Sequence, residues 1–420
     1  MKQTTMAPGG LAYYQKIRRM FRDSLIAYWP LDEVSGTVAK DVSGSSRNGT
    51  HTAGVVPAST GAPGGKFAPL YPESNSNTDL YSASLASAFN GAEGTMSLWI
   101  KPVDAGVWTD ATQRYAIWLQ ADANNLVVFQ RNNSADRNCS FAQRAGGTWK
   151  SDTVYLDGTG WKHLAITWSA SNDRVRLYIN GALYTAALTT LGTWAGSLAS
   201  TTTRLGGYST ATYKWNGYIS NVVLLNREAT AAEVRTLATD ATAKIKWMGI
   251  LGDSITLNEK GDVYWTAKVR QQYDSGSCGM INHSGNGEGV ISKMATQSTA
   301  AASDNDDVII IALGTNDDDA GNMTTLQATY EAGIASLKAS NSRATIYGMN
   351  VLPRWADQTA GAEVAKGNIR TAIAAACTAQ GITCWDTYTD PWIAQNETTD
   401  GLHPTAAGHA AIAARVLALL

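Results

Sequence analysis

From about residue 25 to 225, apolar and polar positions alternate in short runs: TMSLWIKP, YAIWLQ, LVVFQ, WKHLAITWS, RVRLYINGALY and GYISNVVLLN, broken by Gly, Asn, Asp and Ser. A period of two sends successive side chains to opposite faces, so these runs predict antiparallel strands, and their number predicts a two-sheet sandwich. Asn180-Gly181 within LYINGALY predicts a tight hairpin, because both residues tolerate positive φ. Ahead of the strands, Tyr13, Ile17, Met20 and Phe21 recur at helical spacing, with Lys16, Arg18, Arg19 and Arg22 between them. Residues 1–24 therefore predict an amphipathic helix, expected to pack on its own sandwich; attachment to a larger assembly or an anionic surface is the other reading.

The rhythm changes near Lys244. IKWMGILG, CGMINHSG, DDVIIIALG, ATIYGMNVLP and GITCWDTY are short, mostly apolar runs, separated by helix-like segments near 262–273, 288–300, 323–340, 360–379 and 404–419. Strand then helix, five times over, predicts a five-stranded parallel sheet covered on both faces, an α/β/α three-layer sandwich of flavodoxin-like form. The domain division expected is 1–24, 25–240 and 245–420. Ligands of such sheets bind beyond the carboxyl ends of the strands, and the candidate chemistry falls there.

Ser254 follows Gly252-Asp253 at the end of the first strand run, where a following helix start would leave its N–H free; Ser as a plain helix cap is the duller reading. Asn282-His283-Ser284-Gly285-Asn286-Gly287-Glu288-Gly289 places glycines where backbone N–H groups can approach a ligand, although turn chemistry alone accounts for them equally. Asn316 follows the third run; Asp317 to Asp319 read as a solvated helix start. Near the end, TTDGLHPTAAGH sets Asp400 three positions before His403. Gly401 lets the carboxylate reach one imidazole nitrogen and leaves the other to accept a serine proton. Pro404 predicts the first helical position, with His403 as N-cap.

These four blocks, in the order Ser, Gly, Asn and Asp-x-x-His, resemble the SGNH (GDSL-type) hydrolase family over about residues 245–420. The resemblance implies a serine esterase without a cofactor: Ser254 as nucleophile, His403 as general base and then acid, Asp400 as its orienting partner. The oxyanion would be held by the Ser254 N–H, the Asn316 amide and the N–H of Gly287, with Gly285 the alternative. Leu257-Asn258 and the glycine-rich GNGEG text depart from the usual family pattern and bear on pocket shape. No G-x-S-x-G elbow is present, which sets the α/β-hydrolase fold aside. His283 lacks an acid nearby in sequence and reads at best as a substrate contact; Arg354 and Trp355 are candidate sugar contacts.

LIAYWPLDEVSGTVAKDVSG, WKHLAITW, LYINGAL and WNGYISNVVLLNREATAAEV, in that order, resemble the laminin-G or concanavalin-like lectin superfamily, which implies an all-β jelly-roll sandwich that binds glycans or acts as a spacer. Calcium is a further option, with Asp32, Asp41 and Asn48 as oxygen ligands, against the plainer reading of turn caps. Of the tryptophans, Trp29, Trp99, Trp161 and Trp168 read as core, whereas Trp108, Trp149, Trp194 and Trp215 lie in loop-like text and read as surface.

Composition narrows the options. The 420 residues are 44% hydrophobic and 16% charged, which suits globular domains rather than disorder. Residues 1–245 carry 22 basic and 17 acidic side chains (22 − 17 = +5) and the remainder 11 and 18 (11 − 18 = −7), with no dense basic stripe for nucleic acid. No apolar run is long enough for a membrane span, and the N-terminus lacks a secretory signal pattern. A virion-associated or extracellular place is favoured over a cytoplasmic one, and homo-oligomer or virion assembly stays open. Cys139, Cys278, Cys377 and Cys384 show no C-x-x-C spacing; Cys377 and Cys384 could meet across a helix-to-strand turn, but read as free thiols. The expected partner is an O-acylated carbohydrate. A glycan-binding adhesin with an inactive hydrolase domain and a lipid acylhydrolase are the alternatives.

Overall fold

The computed structural model describes residues 13–64, 67–74, 76–184, 186–208, 213–239, 247–257, 263–273, 278–302, 304, 306–317, 322–342, 344–354 and 360–420, the last without the side chains of 360–366. The chain forms two compact units, Met1–Ile245 and Lys246–Leu420.

The first unit is a sandwich of two eight-stranded antiparallel sheets. The alternation works as expected: in Lys162–Ser169, Leu164, Ile166 and Trp168 enter the core between the sheets. Asn180 and Gly181 both have positive φ, and Leu164↔Ile179 and Tyr178↔Leu183 pair around that turn. A second hairpin joins Asn138–Ala145 to Thr148–Tyr155 through Gly146-Gly147, again both at positive φ. The Gly-Gly pair was its available signal.

The N-terminal helix, Tyr13–Met20, packs on the sandwich as expected. Ile17 and Phe21 are buried with Tyr28, Tyr178 and Val223, and the Tyr13 hydroxyl donates to the Leu237 carbonyl at 2.5 Å. Met20, assigned to the same apolar stripe, is exposed instead. Trp29, Trp99 and Trp168 are fully buried, but Trp161 is only half-buried, with its indole N–H on the Gly61 carbonyl.

Trp108 and Trp215, assigned to the surface, are core residues packed edge to face with centroids 5.9 Å apart. Trp108 reaches inward from a one-turn helix capped by Asp104, and its N–H finds the Gly158 carbonyl at 2.8 Å. Trp149 is exposed and Trp194 half-buried. His51 is a buried strand residue bonded to Thr78. The Asp41 carboxylate accepts N–H groups of Tyr28, Ser43 and Arg47 at 2.8–3.0 Å, while Asn48 accepts that of Asp41. Those oxygens close a turn, and a calcium ion there would have to displace these bonds.

The second unit has five parallel strands: β1 (Trp247–Gly252), β2 (Gly279–Asn282), β3 (Val308–Ala312), β4 (Thr345–Met349) and β5 (Thr383–Trp385), in the order 2-1-3-4-5. Its helices are α1 (Trp265–Gln272), α2 (Val290–Ala301), α3 (Met323–Ser340), α4 (Ala360–Ala379) and α5 (Ala406–Leu419). One buried cluster joins α2, α3 and α4 to the sheet; another joins α1 and α5. Apolar layers on both faces explain why β3 reads as an unbroken VIIIA. Because the order reverses at β1, the loops after β1 and β3 open a crevice at the carboxyl edge.

Under β4 the packing has no slack. All four cysteines are free thiols, and a Cβ on Gly348 would lie 2.5 Å from Cys377 Sγ and 3.2 Å from the Tyr330 hydroxyl. Gly348→Ala is therefore expected to cost about 1–3 kcal/mol by overpacking. Adding Cys377→Ala should recover most of that loss in urea denaturation; a purely additive pair would refute the contact as the cause.

Candidate active site

β1 delivers Ser254 to the carboxyl edge through a tight exit. Gly252 ends the strand, and a Cβ there would stand 2.0 Å from Thr256 Oγ1. Gln297, buried on α2, accepts the Gly252 N–H and donates to its carbonyl, both at 2.8 Å. The Asp253 side chain then accepts the Ile255 N–H at 3.0 Å, and its carbonyl the Thr256 N–H at 3.1 Å, closing a turn that leaves Ser254 half-buried at its tip. The helix expected right after the serine is absent from this turn: α1 begins at Trp265. Hydrogen bonds of Asp253, rather than a helix, shape the backbone here.

The last block forms its own loop. Gly401 has φ +78°, and the Thr399 N–H returns to the His403 carbonyl at 2.8 Å. Asp400 Oδ1 accepts the N–H groups of Leu402 (3.0 Å) and His403 (2.7 Å), while Oδ2 lies 2.7 Å from His403 Nδ1. His403 is not the N-cap: α5 starts at Ala406, and Thr405 caps it by accepting the Gly408 N–H. Pro404 precedes the cap, so Asp400, not the helix dipole, is the group that acts directly on the ring.

Ser254 Oγ lies 3.0 Å from His403 Nε2. The hydrogen bond from the His403 ring, followed by the backbone N–H groups, holds the Asp400 carboxyl well below the usual carboxylate range. An ionised carboxylate only accepts, so Nδ1 carries the proton and Nε2 is left to accept from the serine hydroxyl.

The two remaining loops are cross-braced. The Gly285 N–H is committed to the Gly252 carbonyl at 3.2 Å, whereas the exposed Gly287, at φ +68°, makes no hydrogen bond through its N–H among the described residues. Asn316 donates to the Glu288 carbonyl at 3.0 Å, which uses one of its two amide hydrogens. Asp317, expected to be solvated, is buried and accepts the Val290 and Ile291 N–H groups at 2.5 and 3.1 Å. It satisfies orphan donors at the start of α2 and fastens that helix to the loop carrying Asn316. Asp318 and Asp319 lie outside the described residues.

His283 does have an acid partner: Nε2 lies 2.7 Å from Asp304 Oδ2. The pairing was hidden because the two residues are far apart in sequence. Arg354 is half-buried after β4; Trp355 lies outside the described residues. Gln297 was also missed, since one polar residue on an amphipathic helix carries no mark of burial.

Residues 250–411 match the family described as GDSL-like Lipase/Acylhydrolase, and residues 74–235 match the Concanavalin A-like lectin/glucanases superfamily. The chain carries a GDSL-like acylhydrolase domain behind a concanavalin-like one. No curated protein matches the chain. Similar solved structures include the botulinum neurotoxin serotype D binding domain (TM-score 0.40, 16% identity, 52% of this chain and 52% of that one). The chain thus spans about half the length of that neurotoxin domain. Domain 4 of AbnA, a GH43 extracellular arabinanase from Geobacillus stearothermophilus, in complex with arabinotriose, has TM-score 0.39 and 20% identity over 51% of this chain and 98% of that one. The esterase EstA from Pseudoalteromonas sp. has TM-score 0.34 and 16% identity over 41% and 94%.

Beside the GDSL-like serine, burial pushes the Asp253 carboxyl from its ordinary 3.8 up to about 6. Between those values the folded chain holds a proton that the unfolded chain releases, so this group erodes stability as pH rises from about 4 to 6 and no further above that. Asp253→Asn should therefore be more stable than the parent at pH 7, by at most about 3 kcal/mol, with the gain vanishing near pH 4. Urea midpoints at both pH values check this; a pH-independent difference would contradict it.

Proposed function

We propose that the GDSL-like domain is a serine esterase that removes O-acetyl groups from carbohydrate. The observation that carries the reading is the relay of Ser254, His403 and Asp400, joined at 3.0 and 2.7 Å. As His403 Nε2 takes the hydroxyl proton, Ser254 Oγ bonds to the ester carbonyl carbon. The oxygen of the tetrahedral intermediate is stabilised by the N–H groups of Ser254 and Gly287 and by the free hydrogen of Asn316. Collapse breaks the bond to the alcohol, which leaves with the proton from His403. Water, deprotonated by the same nitrogen, then releases the acyl group and restores the serine.

Gly287 is preferred over Gly285 as a donor because the Gly285 N–H already serves the Gly252 carbonyl. Carbohydrate is favoured as the alcohol by the concanavalin-like domain in the same chain. That argument is one of domain partnership, and it sets the first substrates to try.

A fluorophosphonate probe should label the parent chain and fail on Ser254→Ala. His403→Ala should lower kcat by about 10³-fold or more, and Asn316→Ala by about 10²- to 10³-fold with KM little changed. Acetate release from O-acetylated polysaccharides, alongside short and long p-nitrophenyl esters, tests the substrate. Preference for long acyl chains would replace this reading with a lipid acylhydrolase, and an unlabelled parent chain would leave an adhesin.

A further inference from the structure

The end of α4 and the edge strand β5 bring two thiols together. The turn between them is closed by the Ile382 N–H on the Cys377 carbonyl at 3.0 Å, with Gly381 at φ +59°. A left-handed residue at a helix end reverses the chain within a few positions, so β5 returns alongside the helix it follows. Cys384 packs against the buried cluster that contains Cys377. Both sulfurs also approach one point: a Cβ on Gly348, the β4 partner of Cys384, would lie 2.5 Å from Cys377 Sγ and 3.8 Å from Cys384 Sγ.

The two thiols are unequal. Cys377 is fully buried, whereas Cys384 is half-buried on a strand that pairs on one side only, with β4. The Cys377 thiol donates a hydrogen bond to the Cys384 sulfur, which pushes the Cys377 thiol up and pulls that of Cys384 down from the ordinary range. Cys384 is therefore the thiol that a reagent can reach and that ionises first, while Cys377 keeps its proton until Cys384 has reacted. That is the division between an attacking and a resolving thiol.

We propose that Cys377 and Cys384 are a redox modification site, closed to an intramolecular disulfide by exchange with a small disulfide such as oxidised glutathione. The Cys384 thiolate attacks one glutathione sulfur, the glutathione S–S bond breaks, and one glutathione leaves as a thiolate that takes up a proton. Cys377 then gives its proton to solvent, and its sulfur attacks Cys384 Sγ and expels the second glutathione. The protein loses two electrons and two protons, and two reduced glutathione molecules gain them. Thiols already in hydrogen-bond contact need side-chain rotation rather than backbone movement to reach the S–S length of about 2 Å. The bridge would pin a three-residue edge strand to its helix, so it acts on the opening of that edge and not on the relay of Ser254, His403 and Asp400.

The folded full chain should be incubated with oxidised glutathione at mildly alkaline pH, quenched with acid and digested with trypsin. Both cysteines fall in one tryptic peptide, residues 371–415, which should lose two hydrogens and carry no glutathione. Dithiothreitol should restore its mass. Cys377→Ala should instead keep one glutathione on Cys384, and Cys384→Ala should react about tenfold more slowly or less, because the remaining thiol is buried and protonated. Hydrogen exchange across β5 should slow in the oxidised parent. A parent peptide that stays reduced, one that stops at the glutathione adduct, or one that bridges only in urea overturns the proposal, and so does unchanged or faster exchange across β5. These outcomes are read on the parent chain, so they hold even where a variant fails to fold.

Discussion

The geometry around Ser254 depends on one pair of hydrogen bonds, those between the Gln297 side chain and the N–H and carbonyl of Gly252. A strand that leaves a sheet uncovers backbone groups, and in a buried place each unmet one costs about 1–3 kcal/mol. Gln297 meets both with one amide, which fixes the direction in which the chain departs. The absence of a Cβ at Gly252 then lets Thr256 fold back close enough for the turn to present the serine.

The same helix carries the constraint outward. Gln297 also donates to Glu288 at 2.5 Å, the Glu288 carbonyl accepts from Asn316, and Asp317 holds the first N–H groups of α2. Three loops that are remote in sequence are thus tied through α2 into one assembly. Their positions relative to Ser254 are set before any ligand arrives, which is what electrostatic stabilisation of a developing charge requires. The relay loop of Asp400 and His403 is closed by its own short-range bonds, and His403 meets that assembly at the serine, 3.0 Å away.

What was legible in the sequence is what periodicity and local chemistry encode. The strands of the sandwich, the Asn180-Gly181 turn and the parallel strand-helix succession follow from spacing alone. The meeting of Asp400 with His403 follows from a three-residue reach and a glycine. Less legible was anything decided by a distant partner. Trp108 and Trp215 sit in loop-like text, but their rings fill the core, because neighbouring Gly or Asn says little about where a long side chain points. Asp317 looked like part of a solvated acidic run until the N-terminus of α2 supplied its donors. His403 and Thr405 both stand before the last helix, and the hydroxyl of Thr405 took the capping role that proline spacing had suggested for the histidine.

Exposure bears on what kind of molecule the site can serve. Gly287, Asn316 and Asp400 are exposed, and Ser254 and His403 are half-buried. Water in such a place weakens every electrostatic contribution, since the effective dielectric rises with solvation. The oxyanion donors proposed above would act at full strength only when something excludes that water, and a substrate itself is suited to do so. A bulky alcohol can cover the relay while its small acyl group enters among the donors. On the esterase reading proposed above, that division of labour suits an acetyl ester on a large carbohydrate better than a small ester, which would leave the same groups solvated.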